Sequence, residues 1–279
     1  DILEVKAAVF GAREAFKATG RSVPIQCSVS LLPNSGTMLL GTDIRAVLTT
    51  LTALDIQAIG LNCSTGPEDM RDAIRYLGEH SPIPVHCIPN AGIPRQGPNG
   101  ETIFPEQPEP LADTLAEFVE RFGVTIVGGC CGTTPDHIRA IAERVKGREA
   151  GPRPAPGAPM LSSMMTATPL VQEPRPTLVG ERVNSQGSRK AKELLLAEDY
   201  DGLVQVAEDQ VTGGAHVLDV CVALTERQDE DEQMRQVVKR ISLTQPAPIQ
   251  VDSTEPEVIR TALEQIPGRA IVNSVNLEG

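Results

Sequence analysis

The sequence predicts an α/β protein of two parts, each built on a parallel β-sheet. Short runs rich in Val and Ile recur along the 279 residues, amphipathic stretches separate them, and a proline-rich segment at 147–176 divides the chain. Strands that alternate with helices at this spacing are typical of βα units. We therefore expect one βα region at 1–146 and a second at 177–279.

Four βα units are predicted in the first region, after an opening helix at 1–19. The predicted strands cover 24–31, 58–63, 84–90 and 124–131. The predicted helices that follow them cover 43–54, 67–77, 111–122 and 135–145. Each helix would connect two neighbouring parallel strands.

The second region repeats this alternation. Its predicted strands cover 177–183, 216–223, 248–252 and 270–275, with helices near 199–212, 229–242 and 256–265. Predicted helices in both regions open with proline and then an acid, at Pro67, Pro135 and Pro256, which suits the first helical turn. Polar residues just before these helices therefore lie at the carboxyl ends of the strands, where α/β proteins carry their sites.

The segment between the two regions is predicted to be a semi-extended linker. Seven prolines occur within residues 147–176, mixed with Gly, Ala, Ser and Thr, a composition that favours neither helix nor strand. Because the chain starts at Asp1 rather than Met, and its last residues directly follow an apolar run, we also expect a fragment of a longer polypeptide.

The composition excludes several classes of protein. Apolar residues make up 40% of the chain and 24 residues are glycine, as in globular proteins. No apolar run is long enough for a membrane helix and no signal peptide opens the chain, so we expect a cytoplasmic protein without a membrane partner. A net charge of −12 and the absence of Trp argue against nucleic acid as a partner. Six cysteines are too few for a disulfide scaffold.

Three of these cysteines form the strongest candidate site. Cys63 ends one predicted strand, and Cys130 and Cys131 lie within Gly-Gly-Cys-Cys-Gly at the end of another. Three thiolates with an open fourth position describe a catalytic zinc ion. The alternative is that buried cysteines act as small apolar residues, and we favour it for Cys27 and Cys87. The four histidines are weaker candidates for ligands.

Three motifs resemble the zinc-dependent homocysteine S-methyltransferase family: Gly-Leu-Asn-Cys at 60–63, Pro-Asn-Ala-Gly at 89–92 and Gly-Gly-Cys-Cys-Gly-Thr-Thr-Pro at 128–135. The resemblance implies a (β/α)₈ barrel in which Cys63, Cys130 and Cys131 bind Zn²⁺ and the metal holds homocysteine as a thiolate. A free thiol has a pKa near 8.5, and coordination deprotonates it. Asn62 and Asn90 could fill the fourth metal position, orient the amino acid, or only form hydrogen bonds at a strand end.

The second region places amides and carboxylates at successive strand ends, in Asn184, Asp219, Asp252 and Asn273. Such groups match the donors and acceptors of a reduced pterin, and the pattern resembles the pterin-binding family of dihydropteroate synthase and the methyltetrahydrofolate methyltransferases. By resemblance, Asp219, Asp252 and Asn273 contact the pterin, with Glu181 and Asn184 at the rim. The alternative is that they are caps and turn residues. Cys221 stands where this family often has Asn.

Together the two resemblances imply two incomplete (β/α)₈ barrels of four βα units each. Residues 1–146 would be the C-terminal half of a zinc and homocysteine barrel, and 177–279 the N-terminal half of a pterin barrel. The order resembles cobalamin-dependent methyltransferases, which implies methyl transfer from 5-methyltetrahydrofolate through cobalamin to homocysteine. Cobalamin would be bound by another module of the same parent chain.

Two alternatives remain open. One is a zinc-dependent homocysteine S-methyltransferase that uses another methyl donor, and the other is a non-catalytic protein that binds zinc or pterin. We expect no turnover from the fragment alone, because half of a barrel exposes an unpaired strand edge.

Overall fold

A computed structural model describes residues 1–274, so Val275 of the last predicted strand lies outside the described residues. The chain divides into two compact units. The first comprises Asp1 and Ala8–Gly157, and the second comprises Ile2–Ala7 and the chain from Ala158 onward. Within the described residues, no helix is both long and apolar enough to cross a membrane.

Helices and short strands alternate up to residue 145. In chain order they are α1 (Ile2–Thr19), β1 (Gln26–Val29), α2 (Ile44–Thr52), β2 (Ala58–Asn62), a 3₁₀ turn (Glu68–Met70), α3 (Arg71–His80), β3 (Val85–Ile88), β4 (Arg95–Gln96), β5 (Thr102–Ile103), α4 (Pro108–Phe122), β6 (Ile126–Val127) and α5 (Pro135–Val145). β1, β2, β3 and β6 form a parallel sheet in that order. β4 and β5 form a small antiparallel hairpin that was not predicted from the sequence.

Local signals explain where these helices begin and end. The Asp43 side chain accepts a hydrogen bond from the Ala46 N–H at 2.7 Å and caps α2. α4 ends at Phe122 and is capped by Gly123, whose φ of 64° suits a residue without a side chain. The turn after Pro67 is 3₁₀ and not α, because the N–H groups of Met70 and Arg71 bond to the carbonyls of Pro67 and Glu68. The predicted helix at 67–77 is therefore wrong in its first turn.

The two faces of the first sheet differ. Leu61 and Cys87 are buried on the side where α3 packs against β2 and β3, and the Cys87 thiol lies 3.8 Å from the Met70 sulfur. Because side chains alternate along a strand, Ser28 and Ile126 project from the opposite side. Ser28 is exposed and Ile126 is 39% exposed there. α3 thus covers one face of β2 and β3, whereas the opposite face is open at Ser28 and Ile126, with His86 buried between them.

Gly60 allows β2 and β3 to pair closely beneath the cysteines. A Cβ atom at Gly60 would overlap the His86 carbonyl group on the paired strand. We expect Gly60→Ala to lower the free energy of unfolding of this unit by about 3 kcal/mol or more, because neither backbone can yield without breaking the ladder. Chemical denaturation would measure it. Gly11→Ala in α1, where a Cβ meets no atom within 4 Å, is the control and is expected to be neutral or stabilising.

The second unit also alternates strands and helices. Its elements are β7 (Met160–Ser162), β8 (Ala167–Pro169), β9 (Val179–Asn184), α6 (Arg189–Leu196), α7 (Tyr200–Thr212), β10 (Val217–Cys221), α8 (Glu230–Thr244), β11 (Ile249–Asp252), α9 (Pro256–Gln265) and β12 (Ile271–Asn273). β9 to β12 form a parallel sheet in chain order. The α/β class with parallel sheets is therefore confirmed.

The segment predicted to be a semi-extended linker, 147–176, contains structure that this prediction missed. β7 and β8 pair as an antiparallel hairpin. Ser162 is fully buried, its N–H donates to the Arg269 carbonyl at 3.1 Å, and its Oγ accepts from the Arg269 N–H at 2.8 Å. These bonds fix the hairpin beside the amino end of β12. The high proline content favoured a linker over strands in the prediction. Pro169 nevertheless lies at the end of β8, in a two-stranded hairpin where proline is tolerated.

Candidate functional site

The first candidate site begins at the carboxyl end of β2. Cys63 follows β2 directly, and its N–H donates to the Ile88 carbonyl on β3 at 3.0 Å. Cys63 and Ser64 both have left-handed backbones, with φ of 60° and 64°. This conformation is uncommon outside glycine, and it turns the chain sharply at the thiol.

Cys130 and Cys131 reach the same place from the end of β6. The Cys130 N–H donates to the Pro89 carbonyl at 2.7 Å, which anchors this loop to the end of β3. The Cys131 sulfur lies 3.7 Å from that of Cys63 and 3.8 Å from that of Cys130. All three sulfurs lie within 4.8 Å of one another.

This geometry fits a zinc ion. Ligands in a tetrahedral site with Zn–S bonds of about 2.3 Å lie about 3.8 Å apart, which is close to the two shorter separations of 3.7 and 3.8 Å. The Ser64 backbone N–H lowers the pKa of Cys63, whereas the neighbouring thiols Cys63 and Cys130 raise the pKa of Cys131 to about 11. Without a cation, negative charge is therefore favoured on Cys63 and disfavoured on Cys131. A bound cation would remove that penalty.

The two predicted asparagines are placed differently. Asn90 is 3% exposed. Its amide hydrogen-bonds the Cys63 thiol and lowers its pKa, and its Oδ1 accepts from the Cys131 N–H at 3.1 Å. It thus links two of the three cysteines. The Asn62 Oδ1 instead accepts from the Ser28 hydroxyl of β1 at 2.6 Å.

The second candidate site joins the ends of β9, β10 and β11. The Asn184 amide nitrogen donates to Asp219 at 2.7 Å and to Asp252 at 2.9 Å. Its Oδ1 accepts from the N–H groups of Gln186 and Gly187 at 2.8 and 3.1 Å. Asn184 was expected at the rim, but it is only 8% exposed and lies between the two carboxylates. The two amide hydrogens of Asn184 thus hold the side chains of Asp219 and Asp252 close together.

The two aspartates differ in whether they have a carboxylate oxygen available for a ligand. Asp219 is 2% exposed, and its second oxygen accepts from Gln250 at 2.6 Å. Asp252 is half-buried, and its described hydrogen bond uses one oxygen, Oδ2. Burial is the largest cause that raises the pKa of Asp252, followed by the charge of Asp219, and Glu181 adds to it. Asp252 is therefore the carboxylate that faces outward from this cluster.

The remaining residues of this cluster lie around those two aspartates. Asn273 pairs with Asp252 across β12 and β11 and so projects from the same face. Cys221 is buried, with its sulfur 3.8 Å from the Ser185 hydroxyl. Gln250 is not among the predicted site residues, although it lies two residues before Asp252 and must therefore share its face of the strand.

Two family models match the chain, one before the proline-rich segment and one after it. The model described as homocysteine S-methyltransferase matches residues 1–145, and the model described as pterin binding enzyme matches residues 180–279. The apo homocysteine methyltransferase of Escherichia coli is 26% identical, with a TM-score of 0.38 over 52% of this chain and 46% of that one.

Two curated relatives align along the whole chain. Methionine synthase of Mycobacterium leprae (strain TN) is 43% identical, and methionine synthase of Mycobacterium tuberculosis (strain ATCC 25618 / H37Rv) is 42% identical. Each alignment covers 100% of this chain and 23% of the relative, so the chain spans about a quarter of their length. Because the first family model covers 1–145 of the 279 residues, the chain belongs to the homocysteine S-methyltransferase family, with a region that matches the pterin binding enzymes after it.

Proposed function

We propose that this chain carries the homocysteine and folate sites of a methionine synthase. The overall reaction would move a methyl group from 5-methyltetrahydrofolate through cobalamin to homocysteine, which becomes methionine. The convergence of three cysteine sulfurs within 4.8 Å is the observation that carries the proposal. The identity of 42–43% to two methionine synthases supports the pairing of this site with a folate site in one chain.

In the homocysteine site, Cys63, Cys130 and Cys131 would bind Zn²⁺, and Asn90 would orient Cys63 and Cys131. Zinc bound there would hold the substrate thiol as a thiolate at neutral pH. Asn62 lies one residue before Cys63 and would contact the amino acid. The three-residue turn from Cys63 to Thr65, closed by a hydrogen bond from the Thr65 N–H to the Cys63 carbonyl at 2.8 Å, brings backbone groups to the same rim.

In the folate site, Asp252 would accept hydrogen bonds from the pterin ring. Asn184 and Gln250 hold Asp219 and Asp252 in place, so the carboxylates need not reorganise when the ring binds. Asp219, Asn184 and Asn273 would complete the edge that faces the pterin, with Glu181 beside them. Carboxylates and amides in this arrangement match the amino and ring N–H donors of a reduced pterin.

We further propose that each sheet is half of a (β/α)₈ barrel. Strand order follows chain order in both parallel sheets, as it does in a barrel and unlike a doubly wound sheet, whose order reverses at a switch point. The proposed halves are 1–146 and 177–279. Cobalamin would be held by a separate module of the parent polypeptide, in the cytoplasm.

The proposal is tested by supplying the polypeptide that carries this chain with reduced cobalamin in its cob(I) state, homocysteine and methyl-labelled 5-methyltetrahydrofolate. We expect labelled methionine that requires all three components. Methionine formed from a different donor without folate would favour the alternative homocysteine S-methyltransferase. Binding of zinc and pterin without any turnover would favour a non-catalytic binding protein.

A further inference from the structure

The segment at residues 91–106, which we name the overlying segment, lies against the loop that carries two of the cysteines. This cysteine loop comprises residues 128–134. The Ala91 N–H donates to the Cys131 carbonyl at 2.9 Å. Phe104 occupies the space that a side chain at Gly132 would need. The overlying segment therefore lies directly beside Cys131.

His137 holds the far end of the overlying segment, at Glu106, by a hydrogen bond. It is 6% exposed in the first turn of α5. Its Nδ1 accepts from the Thr134 backbone N–H at 3.2 Å, and its Nε2 lies 3.0 Å from the Glu106 carbonyl. A backbone N–H can only donate and a carbonyl can only accept. Nδ1 is therefore an acceptor here, and Nε2 donates its proton to the Glu106 carbonyl.

These bonds close a circuit that starts and ends on the cysteine loop. From Cys131 it runs to Ala91, and the Glu106 N–H returns to the Ala91 carbonyl at 3.1 Å. From Glu106 it passes through His137 to Thr134, whose neighbour Thr133 donates its hydroxyl to the Cys130 carbonyl at 2.7 Å. Within this circuit, the His137 imidazole is the one side chain that hydrogen-bonds to both the overlying segment and the cysteine loop.

We propose that His137 is a positioning residue for the metal site: by donating from Nε2 to Glu106, it fixes the overlying segment and so sets the geometry of Cys130 and Cys131. This proposal rests on the proposed zinc site and adds a residue that acts on it without touching the metal. Partners beyond the ligands commonly change metal affinity by about 10- to 100-fold. His137 works on the backbone that carries two ligands.

Two substitutions separate this role from simple capping of α5. Both His137→Gln and His137→Glu place a side chain at the third helical position that can accept from the Thr134 N–H, as in a capping box. Only glutamine can also donate to the Glu106 carbonyl. Glutamate presents an acceptor to that carbonyl and breaks the circuit, while its negative charge near the site would by itself favour a cation. A weaker metal site in His137→Glu therefore cannot be a charge effect.

The measurements are zinc affinity, by competition with a chelator, and the visible spectrum of the Co²⁺-substituted protein. In the polypeptide that carries this chain, we expect His137→Glu to bind zinc about 10-fold or more weakly and to shift the cobalt bands, while His137→Gln resembles wild type. His137→Ala should behave like His137→Glu. Equal affinity and identical cobalt spectra in His137→Glu and wild type would overturn the positioning role.

The outcome also distinguishes this inference from the proposed function. If wild-type protein binds no zinc, the proposed zinc site itself fails. If wild type binds zinc and both His137→Gln and His137→Glu lose it equally, the side chain matters for a reason other than the bond to Glu106, and the inference is wrong. Thermal unfolding of the metal-free variants shows whether α5 keeps its cap.

Discussion

Replacing Cys130 with serine is expected to abolish stoichiometric zinc binding and homocysteine methylation. The Cys130 sulfur lies 3.8 Å from that of Cys131, within a cluster of three sulfurs. A neutral hydroxyl does not replace a thiolate at a soft metal site. Substitutions outside the ligand set already lower metal affinity by about 10- to 100-fold. We therefore expect the loss of a ligand to lower zinc affinity by more than about 100-fold. Zinc content after dialysis against a chelator would measure it.

Cys27→Ala is the matched control for that substitution. Cys27 is a buried thiol in β1 and is not one of the three cysteines of the cluster, so this variant should retain zinc. Cys130→Ser should also leave binding of 5-methyltetrahydrofolate unchanged, because its site is built from other residues. Full homocysteine activity in Cys130→Ser would refute the ligand assignment.

Asp252→Asn is expected to weaken binding of 5-methyltetrahydrofolate by about 10- to 100-fold. Hydrogen bonds to a charged group contribute about 1.5–3 kcal/mol, and Asp252 is the carboxylate of its cluster that faces outward. The substitution also removes a half-buried charge and its repulsion from Asp219, the two causes that most raise the pKa of Asp252, so the fold itself should not lose stability. Equilibrium binding of the folate would measure the effect.

The same carboxylate predicts how folate binding depends on pH. If the pterin binds the ionised form, affinity is full above the pKa of Asp252 and falls as the pH drops through it. Because that pKa is raised above the ordinary value of 3.8, the decline should begin at a higher pH than for an exposed aspartate. Asp201→Asn is the control, since the Asp201 side chain is 98% exposed on α7. Unchanged affinity in Asp252→Asn at neutral pH would count against the pterin site.

The sequence was most informative where a residue's position depends only on strand ends. Cys63, Cys130 and Cys131 each follow a parallel strand, and parallel strands end at one edge of a sheet, so their convergence could be inferred from spacing. Proline and acid at the start of α5 and α9 predicted both helices correctly. The same reasoning brought Asn184, Asp219 and Asp252 together.

Features that depend on side-chain contacts could not be inferred in this way. Asn184 lies between two aspartates because its amide has two hydrogens to donate, whereas the family resemblance implied a place at the rim. α6 was missed because it is a helix of only 8 residues whose apolar side chains come at its end. The role of His137 required the position of Glu106, which is 31 residues away.

Zinc K-edge X-ray absorption of the reduced, zinc-loaded protein tests the central claim most directly. Three cysteine ligands predict three sulfur neighbours at about 2.3 Å, and a fourth sulfur when homocysteine is added. A spectrum with no sulfur shell, or a sulfur count that homocysteine leaves unchanged, would contradict the account.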